Sequence, residues 1–91
     1  MNTGQTAYVF TVYILRGATG RHYVEQTSDL AVRLKQHRRG HTYTTRRLGG
    51  EIELVASRTF ATREEAVAVE RMLKGAKSPK KSIEYLRSTV R

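Results

Sequence analysis

Five side chains in this 91-residue chain stand out for the chemistry that they can do together: Tyr13, Tyr23, Arg33, His37 and Glu70. A guanidinium can offset charge on a phosphorane-like transition state through forked hydrogen bonds. A phenol whose ionised form is favoured by nearby cations can take a proton from water. A single carboxylate can hold Mg²⁺, which keeps several waters, polarises a phosphoryl group and stabilises the leaving oxygen. Such a set suits phosphodiester hydrolysis with one metal ion, provided that the fold brings it together.

The two tyrosines lie in a predicted β-hairpin, in which two apolar runs within residues 8–26 flank a glycine-containing turn. A two-residue loop would place the phenols on opposite faces of the hairpin. A three-residue loop that ends in a left-handed Gly20 pairs Tyr13 with Glu25 and puts both phenols on one face as diagonal neighbours. We favour this loop because its last position requires a glycine. The alternative, which the hairpin alone favours, is that both tyrosines are ordinary strand residues.

A helix is predicted after the hairpin, capped within Thr27-Ser28-Asp29 and stopped by Gly40. One of its faces carries four residues at helical spacing, Leu30, Arg33, Leu34 and His37. The two leucines indicate that this face points inward. An inward guanidinium usually meets an anion, because burying it without a partner is costly. The alternative is an arginine that extends from the edge of the stripe to water, and the helix alone does not decide between the two.

The second half of the chain contains a predicted third strand over residues 51–60 and two further helices. Thr62 caps the first of these helices in a capping box with Glu65, and Ser78-Pro79 begins the second. The first helix has an apolar stripe that also contains Glu70 and is otherwise made of Ala66, Val69 and Leu73. An inward acid on such a stripe is usually paired with a cation or bound to a metal ion.

The charge balance indicates a nucleic-acid partner. The chain carries 17 Lys and Arg against 8 Asp and Glu, a formal net charge of +9, and its pI is about 10.5. A membrane partner is not expected, because no basic helix with bulky apolar anchors is evident. In the basic loop 40–50, Arg46 and Arg47 can contact phosphate and Tyr43 can stack on a base, and Lys74 belongs to a further basic cluster. We assign these four to nucleic-acid binding, although an ordinary solvated loop also explains any single loop residue.

Length and composition predict one cytoplasmic domain that covers residues 1–91. The absence of cysteine excludes disulfides and thiolate metal sites. No apolar run is long enough to cross a bilayer, and the first residues do not resemble a signal peptide. So small a domain has little room for an element that reads nucleotide sequence, and strong sequence specificity would therefore need a protein partner or a dimer.

Five segments, in order and at the right spacing, resemble the GIY-YIG nuclease superfamily between Thr11 and about Lys77. Thr11-Val12-Tyr13 stands at the family's G-I-Y motif and Tyr23-Val24-Glu25 at its Y-I-G motif. The family's helix motif is matched by Leu30-x-x-Arg33-Leu34-x-x-His37, and the loop motif of its small stand-alone members by Tyr43-Thr44. The segment from Phe60 to Lys74 resembles the one that carries the metal carboxylate.

The resemblance implies an α+β fold, a three-stranded antiparallel sheet flanked by about three helices in the order ββαβαα. It implies a metal-dependent DNA endonuclease with one Mg²⁺ or Mn²⁺ ion. The catalytic roles fall on Tyr13, Tyr23 and Arg33, the supporting role on His37 and the metal on Glu70. Which tyrosine acts as the general base stays open. The nearest likeness is to short single-domain bacterial members, similar to the nuclease domain of the nucleotide-excision repair incision protein, and this connects the chain with DNA repair.

Glu25 departs from the family pattern, because the second motif has glycine at that position. In the favoured register Glu25 faces Tyr13 where the phosphate is expected, so its carboxylate would repel phosphate and raise the pKa of the phenol. If Glu25 swings aside or becomes a second metal ligand, a nuclease of weakened or altered activity remains. Otherwise the domain binds nucleic acid without cutting it. A third alternative is a protein-interaction domain whose charge only aids solubility.

Overall fold

The computed structural model describes residues 9–39 and 51–88, so the loop residues Tyr43, Arg46 and Arg47 and the helix stop at Gly40 lie outside the described residues. Over these two ranges the elements are β1 (Phe10–Gly17), β2 (His22–Thr27), α1 (Leu30–Arg38), β3 (Ile52–Phe60), α2 (Arg63–Gly75) and α3 (Pro79–Arg87). The strands form an antiparallel sheet in the order β2-β1-β3. The predicted α+β fold and its ββαβαα order are confirmed.

The hairpin between β1 and β2 closes with a three-residue loop. The backbone N–H of Gly17 donates to the carbonyl oxygen of Arg21 at 2.9 Å, and the N–H of Gly20 donates to the carbonyl oxygen of Gly17 at 2.9 Å. Gly20 has φ +88°, a left-handed conformation that glycine adopts without the strain that a Cβ would introduce. The turn is therefore the one that a glycine at position 20 favours.

The register of this hairpin places both phenols on one face of the sheet. Tyr13 pairs with Glu25 and Leu15 pairs with Tyr23, and directly opposed residues project to the same side. Helix α1 covers this side through Leu30 and Leu34, which pack with Tyr13, Leu15 and Tyr23. We call this side of the sheet the α1 face. The one-sided placement predicted from the sequence is confirmed.

The opposite side of the sheet carries the larger apolar core. Val12 and Ile14 alternate with Tyr13 along β1 and point the other way. They pack against Ala66 and Leu73 of α2 and Leu86 of α3. We call this side the α2–α3 face. Helix α2 therefore lies across the sheet from α1, with its apolar stripe turned inward as the 3.6-residue spacing predicts.

A β-bulge interrupts the third strand. Ile14 of β1 pairs with Ala56 and Leu15 pairs with Leu54, which leaves Val55 as an extra residue. Val55 and Ala56 consequently both pack on the α2–α3 face, whereas Leu54 packs on the α1 face. The side of the sheet to which successive side chains of β3 point therefore changes phase at Val55. Arg87 of α3 donates from Nη2 to the carbonyl oxygen of Val55 at 2.8 Å, so the bulged backbone keeps a partner.

All three helices of the described ranges begin at capping side chains. The side chains of Asp29, Thr62 and Ser78 accept hydrogen bonds from backbone N–H groups three residues later, at 3.1, 3.1 and 3.2 Å. These bonds satisfy donors that the first helical turn leaves open, and they are the caps that the sequence predicts. None of the helices in the described ranges is long and apolar enough to cross a membrane.

Candidate active site

Tyr13 lies at the centre of the α1 face and is fully buried. Its hydroxyl donates a hydrogen bond to Oε1 of Glu25, the residue that faces it across the hairpin. The same phenol oxygen lies 2.9 Å from Nε2 of His37. Because the phenol hydrogen is directed at Glu25, Nε2 of His37 is assigned as the donor in the second bond. The Tyr13 hydroxyl thus joins a carboxylate of the sheet to an imidazole of the helix.

Arg33 reaches from α1 to the same carboxylate. Its Nε donates to Oε1 of Glu25 at 3.1 Å and its Nη2 donates to Oε2 at 2.9 Å, which is the forked geometry of a strong arginine–carboxylate pair. Its Nη1 donates to Oε1 of Gln36 at 2.9 Å. All three guanidinium nitrogens are therefore engaged. The pair is only partly shielded from water, because the side chains of Arg33 and Glu25 are 30% and 19% exposed.

His37 contacts both phenols at once. It is fully buried on α1, one helical turn after Arg33. Its ring meets the Tyr13 ring edge-on at a centroid distance of 6.0 Å and the Tyr23 ring at 6.3 Å. Edge-to-face packing of this kind is favourable for aromatic rings. Nε2 of His37 also lies 3.4 Å from Oε1 of Glu25, so the imidazole packs against the whole cluster.

The cluster sets the protonation states of its members. Burial, followed by the hydrogen bond to Glu25 and its negative charge, raises the pKa of Tyr13 well above its ordinary value. Burial alone would raise the pKa of Glu25, but the hydrogen bonds from Arg33 and Tyr13 outweigh it and hold that pKa below its usual range. Burial and the nearby charge of Arg33 lower the pKa of His37. The phenol and the imidazole are therefore neutral at neutral pH, and the carboxylate is charged.

The hydrogen bond to Glu25 has the converse effect on its guanidinium partner. It raises the pKa of Arg33 above its ordinary value, although burial acts in the opposite direction. The cluster consequently contains one permanent cation and one permanent anion that neutralise each other, with two neutral polar groups beside them. No member of this network requires a ligand to satisfy its hydrogen bonds.

Glu70 lies on α2, which packs across the sheet from this network. Its side chain is 16% exposed, and its Oε2 lies 3.0 Å from Nζ of Lys74 one turn later. Among the residues that the structure describes, no hydrogen bond or ion pair connects Glu70 with the two phenols or with Arg33. The inward acid of the apolar stripe is therefore paired with a cation, which is one of the two partners that its position predicts.

The surroundings of Glu70 fit a magnesium ion with few protein ligands. Residues 9–39 and 51–88 contain no group of three or more His, Cys, Asp or Glu side chains that could hold a metal. Mg²⁺ is often bound by one or two carboxylates together with waters and substrate phosphate, and Oε1 of Glu70 lies outside the ion pair with Lys74. On the side of the sheet that α2 covers, the buried Oε1 of Gln26 has no hydrogen-bond partner among the described residues, so it is an acceptor that could bind a water.

The structure thus gathers four of the predicted site residues and leaves the rest apart. Tyr13, Tyr23, Arg33 and His37 form one cluster on the α1 face. Glu70 and Lys74 form a separate pair on α2. The predicted nucleic-acid contacts Tyr43, Arg46 and Arg47 lie outside the described residues.

Two partners of Arg33 were not identified from the sequence. The pattern of α1 put Gln36 outside the inward face, yet its side chain accepts from Nη1 of Arg33; the three-residue spacing on a helix was the available signal. The forked pair between Glu25 and Arg33 could have been inferred by combining two predictions. One placed Glu25 on the inward side of the hairpin, and the other required an anion for an inward arginine.

Comparison with known proteins identifies the family. Residues 9–83 match the model of the GIY-YIG catalytic domain. The chain is 36% identical over 72 residues to a UPF0213 protein of Streptococcus pneumoniae serotype 4 (strain ATCC BAA-334 / TIGR4), which covers 77% of this chain and 71% of that protein. A UPF0213 protein of Streptococcus pneumoniae strain ATCC BAA-255 / R6 is 35% identical over 72 residues with the same coverage.

A solved structure agrees with these matches. The solution NMR structure of the UPF0213 protein BH0048 from Bacillus halodurans aligns with a TM-score of 0.53 and 34% identity, and covers 85% of this chain and 81% of that chain. By its family match, its relatives and its fold, the chain belongs to the GIY-YIG catalytic domain family.

Proposed function

We propose that the protein is a metal-dependent DNA endonuclease whose activity is restrained by Glu25. Family membership implies nuclease-type activity and a nucleic-acid substrate. The observation that carries the proposal is the convergence of Tyr13, Tyr23, Arg33 and His37 on one face of the sheet. The net charge of +9 favours a polyanionic substrate.

Arg33 supplies the anion site of the proposed reaction. In the described conformation the carboxylate of Glu25 takes the forked hydrogen bonds that a phosphate would accept. A substrate phosphate therefore has to displace this carboxylate before the guanidinium can offset charge on the transition state. Because the displaced carboxylate remains nearby, Glu25 opposes both the binding of phosphate and its reaction.

The two phenols have different tasks in this proposal. Tyr13 keeps its proton, because burial and Glu25 raise its pKa, and it therefore acts as a hydrogen-bond donor. Tyr23 is half-buried and makes no side-chain hydrogen bond within the described residues. We assign to it the role of general base: its phenol proton passes to solvent, and the phenolate then takes the proton of the attacking water. The water oxygen then bonds to phosphorus, the bond from phosphorus to the leaving oxygen breaks, and that oxygen takes up a proton from solvent. His37 keeps both rings in place.

Glu70 is the residue that would hold the metal ion. Although α2 lies across the sheet from the cluster, its Lys74 lines the same cavity as Tyr23 of the edge strand β2, so a substrate at that edge could reach both sides. When bound, Mg²⁺ or Mn²⁺ supplies polarisation of the phosphoryl group and stabilisation of the leaving oxygen. The carboxylate of Glu70 is already ordered by Lys74 at 3.0 Å. Lys74 is half-exposed, so the ammonium can move to a substrate phosphate when the ion arrives. This assigns to Lys74 the nucleic-acid contact predicted from the sequence.

Plasmid nicking in the presence of Mg²⁺ or Mn²⁺ tests the proposal. We expect nicking by the parent protein and a loss of at least about a hundredfold in Glu70→Ala and in Arg33→Ala. Tyr23→Phe should lose a similar factor, because the phenol oxygen that takes the proton is absent. Glu64→Ala is a suitable control, since it removes an exposed carboxylate from the same helix. Nicking that survives all three site variants would reveal a contaminant and reject the assigned site.

A nucleic-acid-binding module without catalysis is the second candidate function. The closed network favours it, because Glu25 occupies the fork of Arg33, Gln36 accepts from its Nη1, and Tyr13 is held neutral. In that case the parent protein should bind DNA with strong salt dependence but should not nick it at any metal concentration. Binding that is absent or insensitive to salt would instead favour a protein-interaction domain.

Several finer predictions accompany the proposal without a structural test. The location in the cytoplasm, a place in DNA repair and the choice of DNA over RNA follow from composition or from family resemblance alone. The same holds for a protein partner or a dimer that would supply sequence specificity. Each stays a prediction beside the central proposal.

A further inference from the structure

A cavity opens on the other side of Tyr23 from the polar cluster. It has a volume of about 250 Å³, and its floor is apolar, formed by Ile14, Val24 and Leu73. Two aromatic residues line one part of it, His22, which the strand register puts on the same side of the sheet as Val24, and Tyr23 of the edge strand; Lys74 lines another. Because β2 is an edge strand, Tyr23 can contact His37 of the cluster and still line this cavity.

A shallower groove continues from this cavity along α3. It has a volume of about 410 Å³ and shares His22 and Pro79 with the cavity. Its charged residues are Lys80, Arg87 and one carboxylate, Glu84. Together the two form a path that starts at Tyr23 and has an apolar floor with cationic side chains along its edges. We call this path the β2–α3 groove.

We propose that the β2–α3 groove binds an unpaired nucleotide of the nucleic-acid substrate, with its base in the cavity and its phosphate on Lys74 or Lys80. This inference rests on the proposed function, since it assigns the substrate class of the same site. An aromatic side chain such as that of His22 can stack on any base, and lysines at the edge attract the backbone phosphates on either side of that base. The substrate would then be nucleic acid with a single-stranded segment beside the cleaved phosphate.

The dimensions of the groove support this occupant over others. A cavity of about 250 Å³ is smaller than the ~300–1,000 Å³ of pockets for drug-sized ligands, and it suits one planar base. A base pair within a duplex cannot enter it, because its edges are stacked and paired. Among the described residues that line the groove, the cations Lys74, Lys80 and Arg87 outnumber the carboxylate of Glu84. A nucleic-acid strand carries a phosphate at every nucleotide and is therefore favoured over a peptide, whose charges are not regularly spaced.

Fluorescence anisotropy with labelled duplexes tests the inference on the full chain. Three probes share one duplex: blunt-ended, with a single-stranded overhang, and with the same overhang made of abasic residues. We expect the parent protein to bind the normal overhang at least about fivefold more tightly than the abasic one, as the loss of one stacked base predicts. Equal affinity for the normal and the abasic overhang would overturn the inference, and this comparison does not depend on any variant.

Two variants, each with a matched control, then locate the preference within the groove. Ala76→Phe adds a ring to an exposed residue that lines the cavity and should abolish the preference for the normal overhang. Ala68→Phe, on the exposed side of α2, is its control and should retain the preference. Lys80→Ala should lower the salt dependence of overhang binding relative to Lys35→Ala, which removes an exposed lysine from α1. A preference that persists in Ala76→Phe would place the base elsewhere and overturn the inference.

Nicking measured in parallel separates this inference from the proposed function. If the parent nicks plasmid but binds normal and abasic overhangs equally, the nuclease proposal stands and the groove has another role. If the overhang preference depends on position 76 while nicking is absent, the groove assignment stands and the catalytic proposal fails. Binding of no nucleic-acid probe would overturn both.

Discussion

The two faces of the sheet are made by the same strands but filled in opposite ways. On the α2–α3 face, Val12 and Ile14 pack with Leu86 in an apolar core. On the α1 face, the residue between them in the sequence, Tyr13, is equally buried but is hydrogen-bonded to Glu25 and to His37. One strand therefore supplies hydrophobic burial to one side and a polar network to the other.

This difference separates stability from function within a small domain. Hydrophobic burial is non-directional and tolerates changes that keep the volume. A buried polar network is favourable only while each member has its partner, because an unpaired buried polar group is costly. A protein of this size gains little by placing such a network in its interior for stability alone, so we interpret the α1 face as the functional side of the sheet.

The largest expected loss of stability follows from a cavity on the α2–α3 face. Leu86→Ala removes a side chain that is 2% exposed and should lower the free energy of unfolding by about 2–5 kcal/mol. Val32→Ala, which trims an exposed apolar side chain on α1, is the control and should change it by less than about 0.5 kcal/mol. Urea unfolding measures both. Equal losses in the two variants would mean that the apolar core does not lie where the structure puts it.

A double-mutant cycle of Arg33 and Glu25, on the α1 face, should give an intermediate loss in the free energy of unfolding. Arg33→Ala leaves the Glu25 carboxylate without its forked partner and should lower the free energy of unfolding by about 1–3 kcal/mol, less than for a fully buried pair because both side chains are partly exposed. Adding Glu25→Gln removes the stranded charge, so the double variant should lose less than the sum of the single variants. Additive losses would show that the two side chains do not interact in solution.

The smallest expected effect is a decrease in the free energy of unfolding as the pH is lowered. The lowered pKa of His37 means that the unfolded chain binds its proton first, so stability should fall as the pH drops below about 6.5. The lowered pKa of Glu25 stabilises the folded protein fully above about pH 4.3, the ordinary pKa of a glutamate. This stabilisation is lost as the pH falls from there through the lower pKa that Glu25 has in the folded protein. Thermal unfolding at a series of pH values should show both stages. Glu25→Gln should remove the second and enlarge the first, because the charge of Glu25 and its hydrogen bond raise the pKa of His37 in the parent. An unchanged second stage in that variant would contradict the assignment to Glu25.

The sequence was sufficient to predict the hairpin and the inward side of α1. Gly20 requires one loop length, that length determines the register, and the register puts Tyr13 opposite Glu25. The spacing of Leu30 and Leu34 orients the helix in the same way. These predictions succeeded because local turn chemistry and helical periodicity act over a few residues and need no knowledge of the remaining chain.

The features that sequence reasoning missed depend on tertiary contacts. The apolar alternation breaks at Leu54-Val55-Ala56, but three apolar residues in succession also suit a strand that is buried on both faces, so the run alone does not predict a bulge; the structure shows it, with Arg87 of α3 bonded to the bulged backbone. Similarly, Arg33 was expected to meet an anion, but the choice of Glu25 over a bound phosphate depends on how closely α1 packs on β2. The sequence indicated the need for a partner and the structure identifies it.

The rate of plasmid nicking by Glu25→Gly tests the central claim most directly. If Glu25 occupies the position of the substrate phosphate, its replacement by glycine frees Arg33 and should raise the Mg²⁺-dependent nicking rate well above that of the parent. The rate of Glu25→Gln should lie between the two, because the amide oxygen still accepts from Arg33 but carries no charge. A Glu25→Gly protein that is folded, as judged by its thermal transition, and that nicks DNA no faster than the parent would contradict the account.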